Sequence, residues 1–434
     1  MSAAPRPGSS PQASPSNPRN EWLRAAPLLA ACMVSSALPI AAIYSLGQFM
    51  APLERAFGWS RSESSSGLTF GLVVGLVLAP FVGRLIDRVN VRAIAIPGIV
   101  ASALALASFS FADGNPAQWL GLWALNVAIG SMIAPTLWLA AAGAAVSTHR
   151  NLALGLALCG TEVAAAVAPP LARALLNAYS WRTAYQLLAL VWGSAALLLT
   201  VLFFFDHRPR GAAAAAAGSA KGAAGGARRA SLRELFFTAS FAKLAVVVFA
   251  TMTVIAAYMI HLAPALVDGG LDRNKAAGIA GVAGLTAIAG KLCIGWLFDR
   301  APLRVVGAGV MACLGLASVL LAMANGQPML ATLGAMAIGF TGGAMLTVTA
   351  CVSAQQFDPS DFGLVYGVLA SITGVGGALG PLLASYLHDK VGSYAPGFWA
   401  GLVVAAGSAL VLSTLRSETT AGSNAPPAAQ PAGE

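Results

Sequence analysis

Twelve long apolar runs, almost free of charge, constrain this chain more than any other feature. They lie near 25–53, 66–86, 92–112, 117–146, 152–178, 183–205, 236–266, 274–298, 303–325, 327–354, 362–387 and 396–415. A helix needs about 20 apolar residues to cross the hydrocarbon core of a bilayer. The pattern therefore predicts an all-α membrane protein with twelve transmembrane helices. Composition agrees: 57% of the 434 residues are hydrophobic and only 9% are charged, against about 25% in soluble domains. So little charge cannot cover the surface of a soluble protein, and disorder needs low hydrophobicity. The first apolar run is too long for a signal peptide.

The formal charge of +9 could suggest nucleic acid, but short basic loops on one side of a membrane account for it. Twelve spans put both termini on the same side. Of the 25 Lys and Arg, seven (Arg55, Arg61, Arg173, Arg182, Arg273, Lys275 and Lys390) fall on the opposite side and Lys291 lies in mid-span. The other seventeen lie with the termini, so the positive-inside rule makes that side cytoplasmic. The expected location is a plasma membrane, of bacterial inner-membrane type. The chain divides into a disordered cytoplasmic tail (1–24), a six-helix half (25–205), an Ala/Gly/basic linker (206–235), a second six-helix half (236–415) and a disordered tail (416–434).

Chemistry of other kinds is not expected. The five cysteines, at 32, 159, 293, 313 and 351, fall inside spans without metal-ligand spacing and suit small core residues. Neither a nucleophile–base constellation nor a nucleotide loop is present. No cofactor, ATP, nucleic acid or enzymatic activity is expected, and the partners are the bilayer and a small solute, bound by a monomer.

An internal repeat appears at an offset of 212 residues. Gly83-Arg-Leu-Ile-Asp87-Arg88-Val-Asn-Val-Arg92 recurs as Gly295-Trp-Leu-Phe-Asp299-Arg300-Ala-Pro-Leu-Arg304. The same register matches Gly58 with Gly270, Arg61 with Arg273, Gly155 with Gly367, Thr161 with Thr373 and Pro169 with Pro381. In each decapeptide Asp and Arg end one span and Arg begins the next. A carboxylate there can pair with an Arg or face a helix N-terminus. These residues are read as a conformational gate, ordinary charge anchoring being the alternative.

The decapeptides resemble the signature loops of the major facilitator superfamily between spans two and three and between eight and nine. One departure is visible: the expected loop glycine is Asn90 in the first copy and Pro302 in the second. Asn tolerates left-handed backbone angles and Pro does not, so the second loop is expected to differ in shape. Tyr44-Ser-Leu-Gly47 with Phe57-Gly-Trp-Ser-Arg61 resembles the monocarboxylate and oxalate/formate porter branch. Arg150-Asn-Leu-Ala-Leu-Gly155, Phe362-Gly-x-x-Tyr366-Gly367, Gly380-Pro381 and Gly392-Ser-Tyr394 are similar to it as well. Drug-efflux branches usually carry Arg in span four, where this chain has Asn126. The resemblance implies two six-helix halves around a cavity, alternating access by rocking, and a substrate site near the midplane.

Two charges sit in mid-helix. Glu162 lies ten residues past Leu152, roughly 15 Å into span five. Lys291 lies eight residues before Asp299, roughly 12 Å from the end of span eight. A charge at such depth costs about 2.5–3.5 kcal/mol or more. Lys291 can snorkel or capture an anion. In the resembled branch a basic residue, usually Arg, stands four before this span's glycine, as Lys291 stands before Gly295. The oxalate-type lysine of span eleven is absent between Phe362 and Leu387, so one central cation suits one carboxylate. Glu162 can be a neutral, hydrogen-bonded acid or a proton site. Spans five and eight face each other in the resembled fold, so Glu162 and Lys291 are expected to pair in the empty cavity and to separate on binding substrate and a proton.

Weaker candidates are His261 for proton handling and Tyr44, Gln48, Asn126, Tyr258 and Tyr366 for hydrogen bonds to substrate. Polar side chains also join helices, which is the structural alternative for each. The expected function is secondary active transport of a small organic anion, a monocarboxylate, with protons. Transport of a neutral or amphipathic compound is the alternative, and a non-transporting receptor a more distant one.

Overall fold

A computed structural model of the chain describes residues 18–88, 91–133, 137–138, 155–204, 238–298, 300–357 and 362–414. Twelve α-helices follow in order. The first half holds α1 (Pro18–Phe57), α2 (Arg61–Arg88), α3 (Val91–Ser108), α4 (Pro116–Ser131), α5 (Gly160–Ala178) and α6 (Trp181–Phe203). The second holds α7 (Ala239–Asp268), α8 (Arg273–Phe298), α9 (Leu303–Ala322), α10 (Pro328–Gln356), α11 (Phe362–Val391) and α12 (Ala395–Ser413). No strand occurs among the described residues. Among the described residues, ten helices are long and apolar enough to cross a membrane. Of the other two, α4 has 16 residues and α2 carries its charges at its ends.

Three boundaries differ from the sequence expectation. Helix α1 begins at Pro18, inside the segment read as a tail, and Trp22 packs against the first half's core. Proline suits a first helical position, where its missing N–H is not needed. Helix α4 ends at Ser131, inside the run 117–146, most of whose remainder lies outside the described residues. Span five is broken at Leu158 and Cys159, between a helical turn at 155–157 and α5. The linker 206–235, the tail 416–434 and the gate position Asp299 lie outside the described residues, while Gly83, Asp87 and Arg88 fall in the last turns of α2, Arg92 in the first turn of α3 and Gly295 in the last turn of α8.

Each half has its own apolar core, α1–α6 around one and α7–α12 around the other. The halves meet along α5 with α8, α2 with α11, and α1 with α7. Without a hydrophobic force between helices in lipid, close packing of small residues supplies association. On α10, Gly339 and Gly343 stand four apart and face Ala283 and Ala287 of α8, where a Cβ on either glycine would overlap a carbonyl oxygen. Between the halves, a Cβ on Gly284 of α8 would overlap the backbone at Ala165 and Ala166 of α5. The repeat is visible in the backbone: Gly58 (φ +69°) turns α1 into α2 and Gly270 (φ +97°) turns α7 into α8. Left-handed φ favours glycine at both. Asp272 then caps α8, accepting from Asn274 N at 2.9 Å and Lys275 N at 3.2 Å. Those N–H groups, that of Lys275 foremost, hold its carboxyl below the usual carboxylate range.

Candidate substrate and coupling site

The break in span five makes the site. Gly160 lies so close to Ser36 and the Met33 carbonyl of α1 that a Cβ there would overlap both. This contact fixes where α5 starts. Glu162 then falls in the first turn of α5, where the helix dipole favours negative charge. The break also leaves the Leu158 carbonyl free to accept from Lys291 Nζ at 3.0 Å. Lys291 Nζ reaches Glu162 Oε1 at 2.5 Å, and Thr161 Oγ1 donates to Glu162 Oε2 at 2.7 Å. The side chains of Lys291 and Glu162 are 15% and 11% exposed. One ion pair thus joins α5 of the first half to α8 of the second, at the depth where an unpaired charge is costly. Tyr44 lies on α1, which packs along α5.

The other sequence candidates are not gathered at this pair. Gln48, one turn beyond Tyr44, lines a separate cavity with Arg55, Arg61, Arg173 and Arg273. Asn126 is 1% exposed within α4 and has no hydrogen-bond partner among the described residues. Tyr258 joins α7 to α9 and α12: its hydroxyl is 3.0 Å from Ser318 Oγ and 3.1 Å from the Phe398 carbonyl. His261 is buried against α11 and α12, with Nδ1 2.9 Å from Tyr394 Oη and Nε2 3.0 Å from the Pro381 carbonyl. Tyr366 is half-buried on α11. At the gate, Arg300 lies over the Trp296 ring at 4.1 Å, and Arg304 is exposed.

A second cross-half cluster was not singled out by the sequence. At the end of the bundle that carries the α1–α2 and α7–α8 turns, Arg61 donates to both oxygens of Asp268, at 2.7 and 3.0 Å. Arg61 Nε also lies 3.3 Å from Glu54. His388 Nε2 of α11 is 2.9 Å from Asp268 Oδ2. Asp389 accepts from the N–H groups of Arg61 and Ser62 and from the Ser62 hydroxyl. The start of α2 is thereby tied to the ends of α7 and α11. One turn deeper, Ser65 and Ser385 share a hydrogen bond of 2.7 Å, and Thr69 donates to the Ala378 carbonyl at 2.8 Å. In the sequence Arg61 stands out as a repeat partner of Arg273 and as one of seven basic residues on that side, with no sign that it meets Asp268.

Two six-helix halves of apolar helices, joined across their seam by ion pairs, define a multi-pass membrane transporter. The chain matches the model of the Major Facilitator Superfamily over residues 29–338 and 311–433, and it belongs to that superfamily. It is 28% identical over 380 residues to monocarboxylate transporter 13 of Rattus norvegicus, covering 87% of this chain and 86% of that one. It is 27% identical over 416 residues to monocarboxylate transporter 11 of Homo sapiens, covering 91% and 83%. A shorter match, 27% over 143 residues, joins it to monocarboxylate transporter 12 of Rattus norvegicus. The chain is a transporter and not an enzyme.

Proposed function

We propose that this protein carries a small monocarboxylate together with a proton by alternating access, with its termini in the cytoplasm. The observation that carries this reading is the Lys291–Glu162 pair across the seam between the halves. An ammonium in a sparsely hydrated site attracts a carboxylate, and the names of the relatives point to the same substrate class. When the substrate carboxylate takes Lys291, Glu162 loses its counter-charge. Burial then favours its neutral form, so it binds a proton. Anion and proton enter together and no net charge crosses. Purified protein in proteoliposomes is expected to take up labelled lactate, pyruvate or formate, and an inward proton gradient is expected to accelerate it. Gradient-independent uptake, or uptake only of neutral compounds, would refute this reading.

The Arg61–Asp268–His388–Asp389 cluster serves as the outer latch, closed when the substrate site faces the cytoplasm. Asp268→Asn removes the charge that holds Arg61 and His388. Hydrogen bonds to charged groups contribute about 1.5–3 kcal/mol, and the exposure of this cluster favours the lower figure. The expected result is about a tenfold shift toward the outward-open form. Spin labels at Ser66 and Tyr386, both on the outer parts of α2 and α11, report it as a new long-distance population. An unchanged distance distribution would remove the latch role.

A further inference from the structure

The cavity beside the latch has an unbalanced charge. It holds about 280 Å³ between α1, α2, α5, α7 and α8, and four arginines line it: Arg55, Arg61, Arg173 and Arg273. Its two acidic lining residues, Glu54 and Asp268, are both taken by Arg61. Arg55, Arg173 and Arg273 have no carboxylate within ion-pair distance among the described residues. Arg55 donates to the Ala51 carbonyl, and Arg173 to the Asn177 side chain. Arg55, Arg173 and Arg273 therefore bring like charge to the lining of one cavity. The cavity also contains Gln48, 7% exposed, whose Nε2 is buried without an acceptor. A buried donor left without an acceptor costs about 1–3 kcal/mol, and crowded like charges disfavour one another.

We infer that this cavity is a second anion site, which binds a small carboxylate before it reaches Lys291. A carboxylate oxygen supplies what Gln48 Nε2 lacks, and the arginine forks can hold a carboxylate through paired hydrogen bonds. The place suits a waiting position. Arg173 stands eleven residues beyond Glu162 on α5, roughly 16 Å along the helix. Gln48 stands one turn from Tyr44 on α1, the helix packed along α5. An anion moving inward from the arginines thus passes Gln48 and then Tyr44. Positive charge concentrated at a cavity also raises the local concentration of anions and their rate of entry. The binding site stands on cavity and charge alone; its role as a waiting position rests on the transport reading above.

The test is equilibrium binding of labelled formate and lactate to the full chain in detergent, with Lys291→Gln to disable the central site. That variant is expected to retain a carboxylate site that weakens with added salt. Adding Arg173→Gln is expected to raise its Kd at least tenfold. Gln48→Leu is expected to weaken binding in the same direction, and Arg173→Lys to restore most of it. Unchanged Kd in both double variants, no carboxylate binding to Lys291→Gln, or tighter binding of inorganic phosphate than of any carboxylate would overturn the inference. Because the readout is binding with Lys291 already removed, an unexpected result for Lys291 in uptake leaves this test intact.

Discussion

Lys291→Ala is expected to abolish saturable uptake of the anion, lowering the initial rate in proteoliposomes at least about a hundredfold. Two losses combine. The substrate carboxylate meets no cation in the middle of the membrane, where the alternatives are a backbone carbonyl and the Glu162 carboxylate. Glu162 also loses its partner. Removing one member of a buried pair costs about 3–5 kcal/mol, and the remaining acid avoids that cost by taking up a proton and keeping it. The proton site then no longer responds to substrate. Lys291→Arg keeps the charge and is expected to retain substantial uptake with altered selectivity, since a planar fork holds a carboxylate differently from an ammonium. The neutral double variant Glu162→Gln/Lys291→Gln removes both charges of the pair. It is expected to fold and melt like the parent while transporting no anion, which separates stability from function. Uptake by Lys291→Ala within twofold of the parent would refute the assignment.

The parts of this site that were legible in the sequence are those where cost leaves few solutions. A charge in the middle of an apolar run is expensive, so Glu162 and Lys291 had to be paired or functional, and they are paired at 2.5 Å. The repeat was legible because both halves need the same turn: Gly58 and Gly270 both have positive φ. Placement around a helix was not legible. Tyr258 and His261 lie three apart on α7, and both turn toward the second half's own helices rather than toward Lys291. A span apolar on every side carries no stripe to show which face meets which neighbour. The break at Leu158 and Cys159 was hidden as well, because no proline marks it, and the close approach of Gly160 to α1 beside it shows only in the fold. The latch joins residues 207 and 327 positions apart. Charges in separate short loops show a sidedness in the sequence, and only the fold shows that they meet.

Glu162→Gln is expected to separate exchange from net transport. Under the proposed mechanism, the empty carrier of the parent returns with Lys291 and Glu162 neutralising each other, and the loaded carrier returns with the anion on Lys291 and a proton on Glu162. In the variant, the loaded form is still balanced, because the substrate carboxylate neutralises Lys291 and the amide needs no proton. The empty form is not balanced. Lys291 then faces only the Leu158 carbonyl and an amide, and its uncompensated charge must cross the seam with the closing halves. A mid-membrane charge costs about 2.5–3.5 kcal/mol, which slows the empty return about a hundredfold. Net uptake driven by a proton gradient is therefore expected to fall about a hundredfold. Exchange of labelled for unlabelled anion across preloaded vesicles never uses the empty return, so it is expected to stay within a few fold of the parent. Net proton-driven uptake undiminished in Glu162→Gln would remove Glu162 from the coupling mechanism. Loss of exchange and net uptake together would make it a structural partner of Lys291 and nothing more.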